Sequence, residues 1–190
     1  MNDKPVAAGK SSFDLIDPAL FFDTLPLDRD LVFLDAACGI GNYSLALAEV
    51  LGENSIIFAI DLWPEGISSL QKEISKKKSP NIWATVGDIS KRIPINNDSI
   101  DICLMATVLH DLVEVQTQHG ALKEIARVLK PEGLLAIIEF KKVQGPPGPP
   151  IQIRLTAEEV KSIVGPYGFR KEYVTDVGPY NYLAGFILGP

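Results

Sequence analysis

An α/β fold, with a mostly parallel sheet flanked on both faces by helices, is predicted by three features of the sequence. From Leu31 to Phe140, short apolar runs alternate with segments of helical periodicity. The first apolar run ends in an acid, and small residues at 37, 39 and 41 lead from it into a helix. Near the C-terminus, two strand-like stretches are joined only by Gly178-Pro179-Tyr180-Asn181, a link short enough for an antiparallel pair alone.

The elements follow in order. Phe13 to Leu25 is apolar but interrupted by Asp17-Pro18, so one or two short helices are expected there, covering the sheet edge. Leu31 to Ala36 reads as a buried first strand, and Tyr43 to Leu51 as a helix that Gly52 stops. Ser55 to Asp61 is the second strand. Pro64, whose missing N–H costs nothing at a helix start, opens a helix carrying Ile67, Leu70 and Ile74 at helical spacing. Ile82 to Val86 is the third strand, residues 93–99 a loop, and Ile100 to Ala106 the fourth strand. A helix is expected from Glu114 to Leu129, then a turn at Lys130-Pro131-Glu132-Gly133 and a fifth strand from Leu134 to Phe140. Four prolines stiffen Gln144 to Pro150 into an extended loop. Thr156 and Glu159 form a capping box for one more helix, and the antiparallel strands near 169–177 and 182–188 complete a seven-stranded sheet.

A chain of 190 residues suits one domain, here 13–190, preceded by a polar segment 1–12 expected to be a flexible tail. That segment lacks the apolar core of a signal peptide, and no apolar run approaches the roughly 20 residues that span a bilayer. The net charge of −6 argues against nucleic acid as a partner, and Lys76-Lys77-Lys78 suits the end of a helix. Two separated cysteines, Cys38 and Cys103, read as reduced thiols of a cytoplasmic protein. His110 and His119 lie nine apart, outside the usual metal-ligand spacings, so no metal site is expected.

The segment from Leu34 to Asn42 carries the chemistry. Glycine allows the backbone to approach a ligand closely, and the helix start behind it offers free N–H groups. Asp61 ends the second strand, 26 residues after Asp35, and suits the hydroxyls of a ribose. Asp88 follows the third strand and suits an exocyclic adenine amine. Each acid alone could simply terminate a strand. Together they sit at the carboxyl ends of successive strands, where doubly wound sheets bind ligands.

On these residues the sequence resembles the class I S-adenosylmethionine (SAM)-dependent methyltransferases, over about Leu31 to Leu188. The resemblance implies a Rossmann-like, doubly wound, mostly parallel seven-stranded sheet with a C-terminal antiparallel hairpin. It implies SAM as cofactor, with Asp35, Ala37, Cys38, Gly39 and Gly41 as the first motif, Ala37 standing for the usual first glycine. Asp61 and Leu62 would hold ribose and adenine, Asp88 and Ile89 the adenine, and Ala106 and Thr107 the methionine portion. Within the class it looks most similar to the small-molecule, quinone-type branch, which implies a small-molecule methyl acceptor.

Two rivals stand beside this reading. A nicotinamide-dependent oxidoreductase would also want an acid 20 residues past Gly41, but its fingerprint needs glycine or alanine where Ser44 stands. A non-catalytic SAM sensor or partner subunit would keep the same cofactor residues. For the acceptor side, His110 beside Asp111, expected in the loop after the fourth strand, is the candidate base, and Arg154 the candidate partner of an acidic group. Tyr43, Tyr180 and Tyr182 are candidates for the pocket wall or for the core.

Overall fold

The computed structural model describes residues 9–27 and 30–190. Its centre is a seven-stranded sheet in the order β3-β2-β1-β4-β5-β7-β6. The strands are β1 (Val32–Ala36), β2 (Ile56–Asp61), β3 (Ile82–Val86), β4 (Ile100–Ala106), β5 (Leu129–Phe140), β6 (Phe169–Asp176) and β7 (Asn181–Leu188). The first five run parallel, and β7 pairs antiparallel with both β5 and β6. Strand order reverses between β1 and β4, which opens a crevice at their carboxyl ends.

The helices are α1 (Pro18–Thr24), α2 (Asn42–Val50), α3 (Pro64–Lys77), α4 (Leu109–Glu114), α5 (Gln118–Val128) and α6 (Ala157–Val164). Alternation along each strand sends side chains to two cores. On one face Phe33, Ile57, Leu104, Ala136 and Leu183 meet Phe21 of α1, Leu47 of α2 and Leu70 of α3. On the other, Leu34, Cys103, Leu135, Ala184 and Phe186 meet Leu109 of α4, Leu122 and Ile125 of α5, and Val160 and Val164 of α6. Between β3 and β4 the chain crosses without a helix, held by Arg127, whose guanidinium donates to the carbonyls of Ile93 and Ile95.

Several sequence expectations change. The N-terminal helical segment covers a face of the sheet, not its edge, because Ile16, Phe21 and Leu25 all enter the first core. The expected helix from 114 to 129 is two helices, α4 and α5, with the break at Val115–Thr117, where Gln116 adopts φ 59. His110 therefore lies in a helix and not in a loop. The turn at 130–133 survives as a bulge inside β5. Ile100 pairs Leu129 but Ile102 pairs Leu134, leaving Lys130 to Gly133 looped out of register. Of the expected tail, residues 1–8 lie outside the described residues, whereas Ser12 is buried. The capping box forms as expected, Thr156 Oγ1 accepting from Glu159 N and Glu159 accepting from Thr156 N.

Gly120 fixes how α5 seats against the loop after β3, since a Cβ there would collide with the main-chain oxygen of Ser90. Gly120→Ala should thus destabilise the fold by about 1–3 kcal/mol in urea unfolding, despite the better helix propensity of alanine. A variant as stable as the parent, or more so, would show that the contact is slack.

Candidate functional site

The crevice between β1 and β4 is built around the segment that joins β1 to α2. Ala37, Gly39 and Gly41 all take positive φ, at 64°, 58° and 76°. The main-chain N–H groups of Ala37 and Cys38 both donate to Ile60 O, tying the turn to β2. A Cβ on Gly41 would strike the Leu70 side chain, so α3 packs tightly behind the loop. In front of Gly39, in contrast, a Cβ would meet nothing within 4 Å. That open side of the loop faces away from the packed core.

Two carboxylates sit under and beside the loop. Asp35 is 1% exposed and accepts the hydroxyl of Ser44, on α2, at 2.6 Å. Burial first, and the charge of Asp61 second, push its carboxyl up to about 7 despite the Ser44 hydrogen bond. Asp61 is half-buried; its Oδ2 accepts from Gly39 N at 2.7 Å and its Oδ1 from Trp63 N at 2.7 Å. An ionised carboxylate has about four lone-pair positions, so Asp61 can still accept from a ligand's hydroxyls. Cys38 lies in the same field: burial, then Asp35 and Asp61, hold its thiol well above the ordinary value, which keeps it a neutral liner.

The remaining expected cofactor residues fall on the same end of the sheet, with different exposures. Leu62 is 56% exposed, an apolar side chain presented to solvent beside Asp61. Asp88 closes a turn by accepting from Ser90 N and Oγ, and pairs with Lys91. Burial works against its charge, but the Ser90 hydrogen bonds and Lys91 outweigh it and hold the carboxyl below its usual range. Ile89 is buried in the second core, so only its main chain is available at the crevice. Ala106 ends β4, and Thr107 follows at φ 53 with its N–H on Ile138 O.

Three participants were not singled out for this site by the sequence. Ser12 hydrogen-bonds Tyr43 Oη at 2.9 Å and accepts from Thr107 Oγ1 at 3.2 Å, so the N-terminal segment ties the start of α2 to the end of β4. Ser44, noticed only as a missing glycine, fastens Asp35. Glu139 was visible as an acid in an otherwise apolar run, Leu134 to Phe140, but its partner was not. It is 0% exposed and receives both the main-chain N–H of His110, at 3.1 Å, and its ring Nδ1, at 2.7 Å.

Arg154 is placed differently from expectation. It is 2% exposed, and its five N–H groups donate to the carbonyls of Lys141, Val143, Gly145, Pro147 and Pro149. The side chain is wholly engaged in the Pro-rich loop, with its guanidinium 5.6 Å from the Phe140 ring centroid. No donor is left over for an incoming acid. Tyr182 belongs to the core and donates to Leu155 O, and His119 is exposed and hydrogen-bonds Tyr167. Among the described residues no group of three or more His, Cys, Asp or Glu is placed to hold a metal ion, and no helix is long and apolar enough to cross a membrane.

Comparison with known proteins speaks to the family and the fold. A methyltransferase-domain family model matches residues 27–167. A ubiquinone/menaquinone biosynthesis C-methyltransferase of Campylobacter jejuni is 32% identical over 123 residues, covering 63% of this chain and 48% of the relative. An uncharacterized methyltransferase-like protein of Schizosaccharomyces pombe is 28% identical over 116 residues, covering 61% of this chain and 41% of the relative. The chain thus spans about half the length of the curated relatives it matches. Among solved structures, a SAM-dependent methyltransferase from Aquifex aeolicus superposes with a TM-score of 0.84 at 29% identity, covering 94% of this chain and 93% of that one.

The raised Asp35 pKa has a consequence for the ligand-free protein. Between the ordinary value of 3.8 and about 7 the native state keeps a proton that the unfolded chain has released. The stability this contributes is fully present below 3.8 and is lost as pH rises through about 7. Asp35→Asn should remove that loss, so the variant gains on the parent between pH 5 and pH 8 by on the order of 2–4 kcal/mol. Parallel urea midpoints across that range would contradict the assignment.

Proposed function

The chain belongs to the class I SAM-dependent methyltransferase family, and we propose that it moves the methyl group of SAM to a small molecule entering over β4 and β5. The observation that carries the reading is the glycine loop at the switch point between β1 and β4, open in front of Gly39 and latched from behind by Asp61.

In this reading the free lone pairs of Asp61 receive the ribose hydroxyls, exposed Leu62 packs on the adenine, and Asp88 with the main chain at Ile89 takes the adenine edge. Asp35, Ala37, Cys38, Gly39 and Gly41 shape the floor, and Ala106 and Thr107 border the methionine portion. Asp61 at the loop, and Asp35 beneath it, whose ionisation a nearby cation would favour, suit a ligand carrying a sulfonium and an ammonium. When bound, SAM supplies an already activated methyl, so the protein's task is chiefly to align an acceptor, a contribution worth up to ~7–11 kcal/mol in favourable cases.

The acceptor wall is the loop between Lys141 and Pro150, and Arg154 is its internal clamp rather than an acceptor ligand. Five carbonyls on one guanidinium give a stiff, shaped surface. The C. jejuni relative, a quinone-pathway C-methyltransferase by name, favours a quinone-type or similar aromatic acceptor. The two free thiols, Cys38 and Cys103, suit a reducing, cytoplasmic setting. The nicotinamide reading is disfavoured because Ser44, where that fingerprint needs a small non-polar residue, is buried and bonded to Asp35.

Isothermal titration should show micromolar binding of SAM or S-adenosylhomocysteine and no comparable binding of NAD. Asp61→Ala should weaken SAM by about 1.5–3 kcal/mol, the scale of lost hydrogen bonds to a charged group. Undiminished affinity in a folded Asp61→Ala protein would remove that residue from the site, and tight SAM binding without turnover on any acceptor would turn the reading to a sensor.

A further inference from the structure

We propose that Glu139 is a positioning residue that presents His110 Nε2 as a base, and that the acceptor is therefore one that loses a proton as it is methylated, such as a phenolic or enolic hydroxyl. This rests on the methyl-transfer reading above.

The pairing points to which ring nitrogen is free. With Glu139 ionised, and so accepting only, Nδ1, 2.7 Å from its Oε2, carries the hydrogen. The neutral ring then has its lone pair on Nε2. Glu139 Oε1 also accepts from His110 N, so one carboxylate fixes both the start of α4 and the orientation of its imidazole. The edge of the Phe140 ring, 6.3 Å between centroids, restrains the ring further.

Stability alone is a poor reason for this pair. Glu139 follows Leu134 to Ile138, an unbroken buried run of β5, and a buried ion pair is often no more stable than apolar residues of similar volume. Its position is more telling. Glu139 stands one residue past Ile138, which bonds Thr107 N, and so lies at the carboxyl end of β5 beside the crevice. Three charged or titratable groups set the ring's behaviour. Burial favours the neutral form, but Glu139 and Asp111, whose Oδ1 is 3.5 Å from Nε2, outweigh it against the opposing charge of Arg154, and His110 titrates above its ordinary value.

The step balances simply. The acceptor oxygen forms a bond to the methyl carbon as the sulfur–methyl bond breaks, and that electron pair stays on sulfur and cancels its positive charge. The hydroxyl proton passes to His110 Nε2 and from there to water. Asp111 and Glu139 then stabilise the imidazolium. General-base assistance of this kind is typically worth 10²–10⁴ in rate.

The test reads the ring directly in the intact protein. Nitrogen-15 spectra of the histidines, with His110 assigned by His110→Gln, should show Nδ1 protonated and Nε2 unprotonated in the neutral form, with a midpoint above 6.5. In Glu139→Gln the midpoint should fall and the tautomers should mix, while SAM affinity by titration stays within about twofold. With a panel of simple phenols as probes, kcat should fall about 100-fold or more in His110→Gln. In Glu139→Gln, kcat should fall about tenfold with little change in KM, and its acid limb should move to lower pH. A neutral ring protonated on Nε2 in the parent overturns the proposal even if Glu139→Gln does not fold. So does an acid limb unmoved in that variant, or methylation confined to nucleophiles without a proton, such as pyridines. Loss of SAM binding in the parent would instead fail the methyl-transfer reading.

Discussion

The glycine loop at the functional end of this sheet depends on a carboxylate, Asp61, holding the N–H of Gly39 at 2.7 Å. That bond runs from the end of β2 to the turn after β1, so it latches the one segment that must have an unusual backbone. Ala37, Gly39 and Gly41 all sit at positive φ, and for Ala37 this costs about 1–2 kcal/mol relative to an ordinary conformation. The tie from Ala37 N and Cys38 N to Ile60 O, the packing of Leu70 behind Gly41 and the Asp61 latch together over-determine the turn.

The same economy explains the two faces. On the face of α1, α2 and α3, helix packing positions the loop; on the face of α4, α5 and α6, it positions His110 and Glu139. Ser12 joins the two halves, because its hydroxyl meets Tyr43 from α2 and Thr107 from the end of β4. Arg154 does for the Pro-rich loop what Asp61 does for the glycine loop. A single charged side chain, bonded through all its polar atoms, replaces the secondary structure that prolines forbid.

The strands and most helices were legible because their signals are local. Alternation, Pro64 at a helix start, the Thr156 capping box and the short link before β7 each act within a few residues. The three strand-end acids were legible for the same reason. What the sequence hid are interactions between distant residues. Nothing near Glu139 announces His110, 29 positions earlier, and nothing near Arg154 says that its donors turn back onto carbonyls up to 13 residues away. The break between α4 and α5 escaped because residues 109–128 carry no proline, and Gln116 takes its positive φ without a glycine to mark it. The Lys130–Gly133 turn misled in the other direction, since a bulge and a strand boundary share the same chemistry.

Asp35 gives the last link between fold and function. It is costly to ionise where it lies, under the loop and in the field of Asp61, and Ser44 only partly compensates. On the methyl-transfer reading, a bound sulfonium is the counter-charge this corner lacks. At effective dielectric constants near 20, a unit charge several ångströms away is worth on the order of 2–4 kcal/mol. Transfer of the methyl group removes that charge from the sulfur while the two carboxylates stay in place.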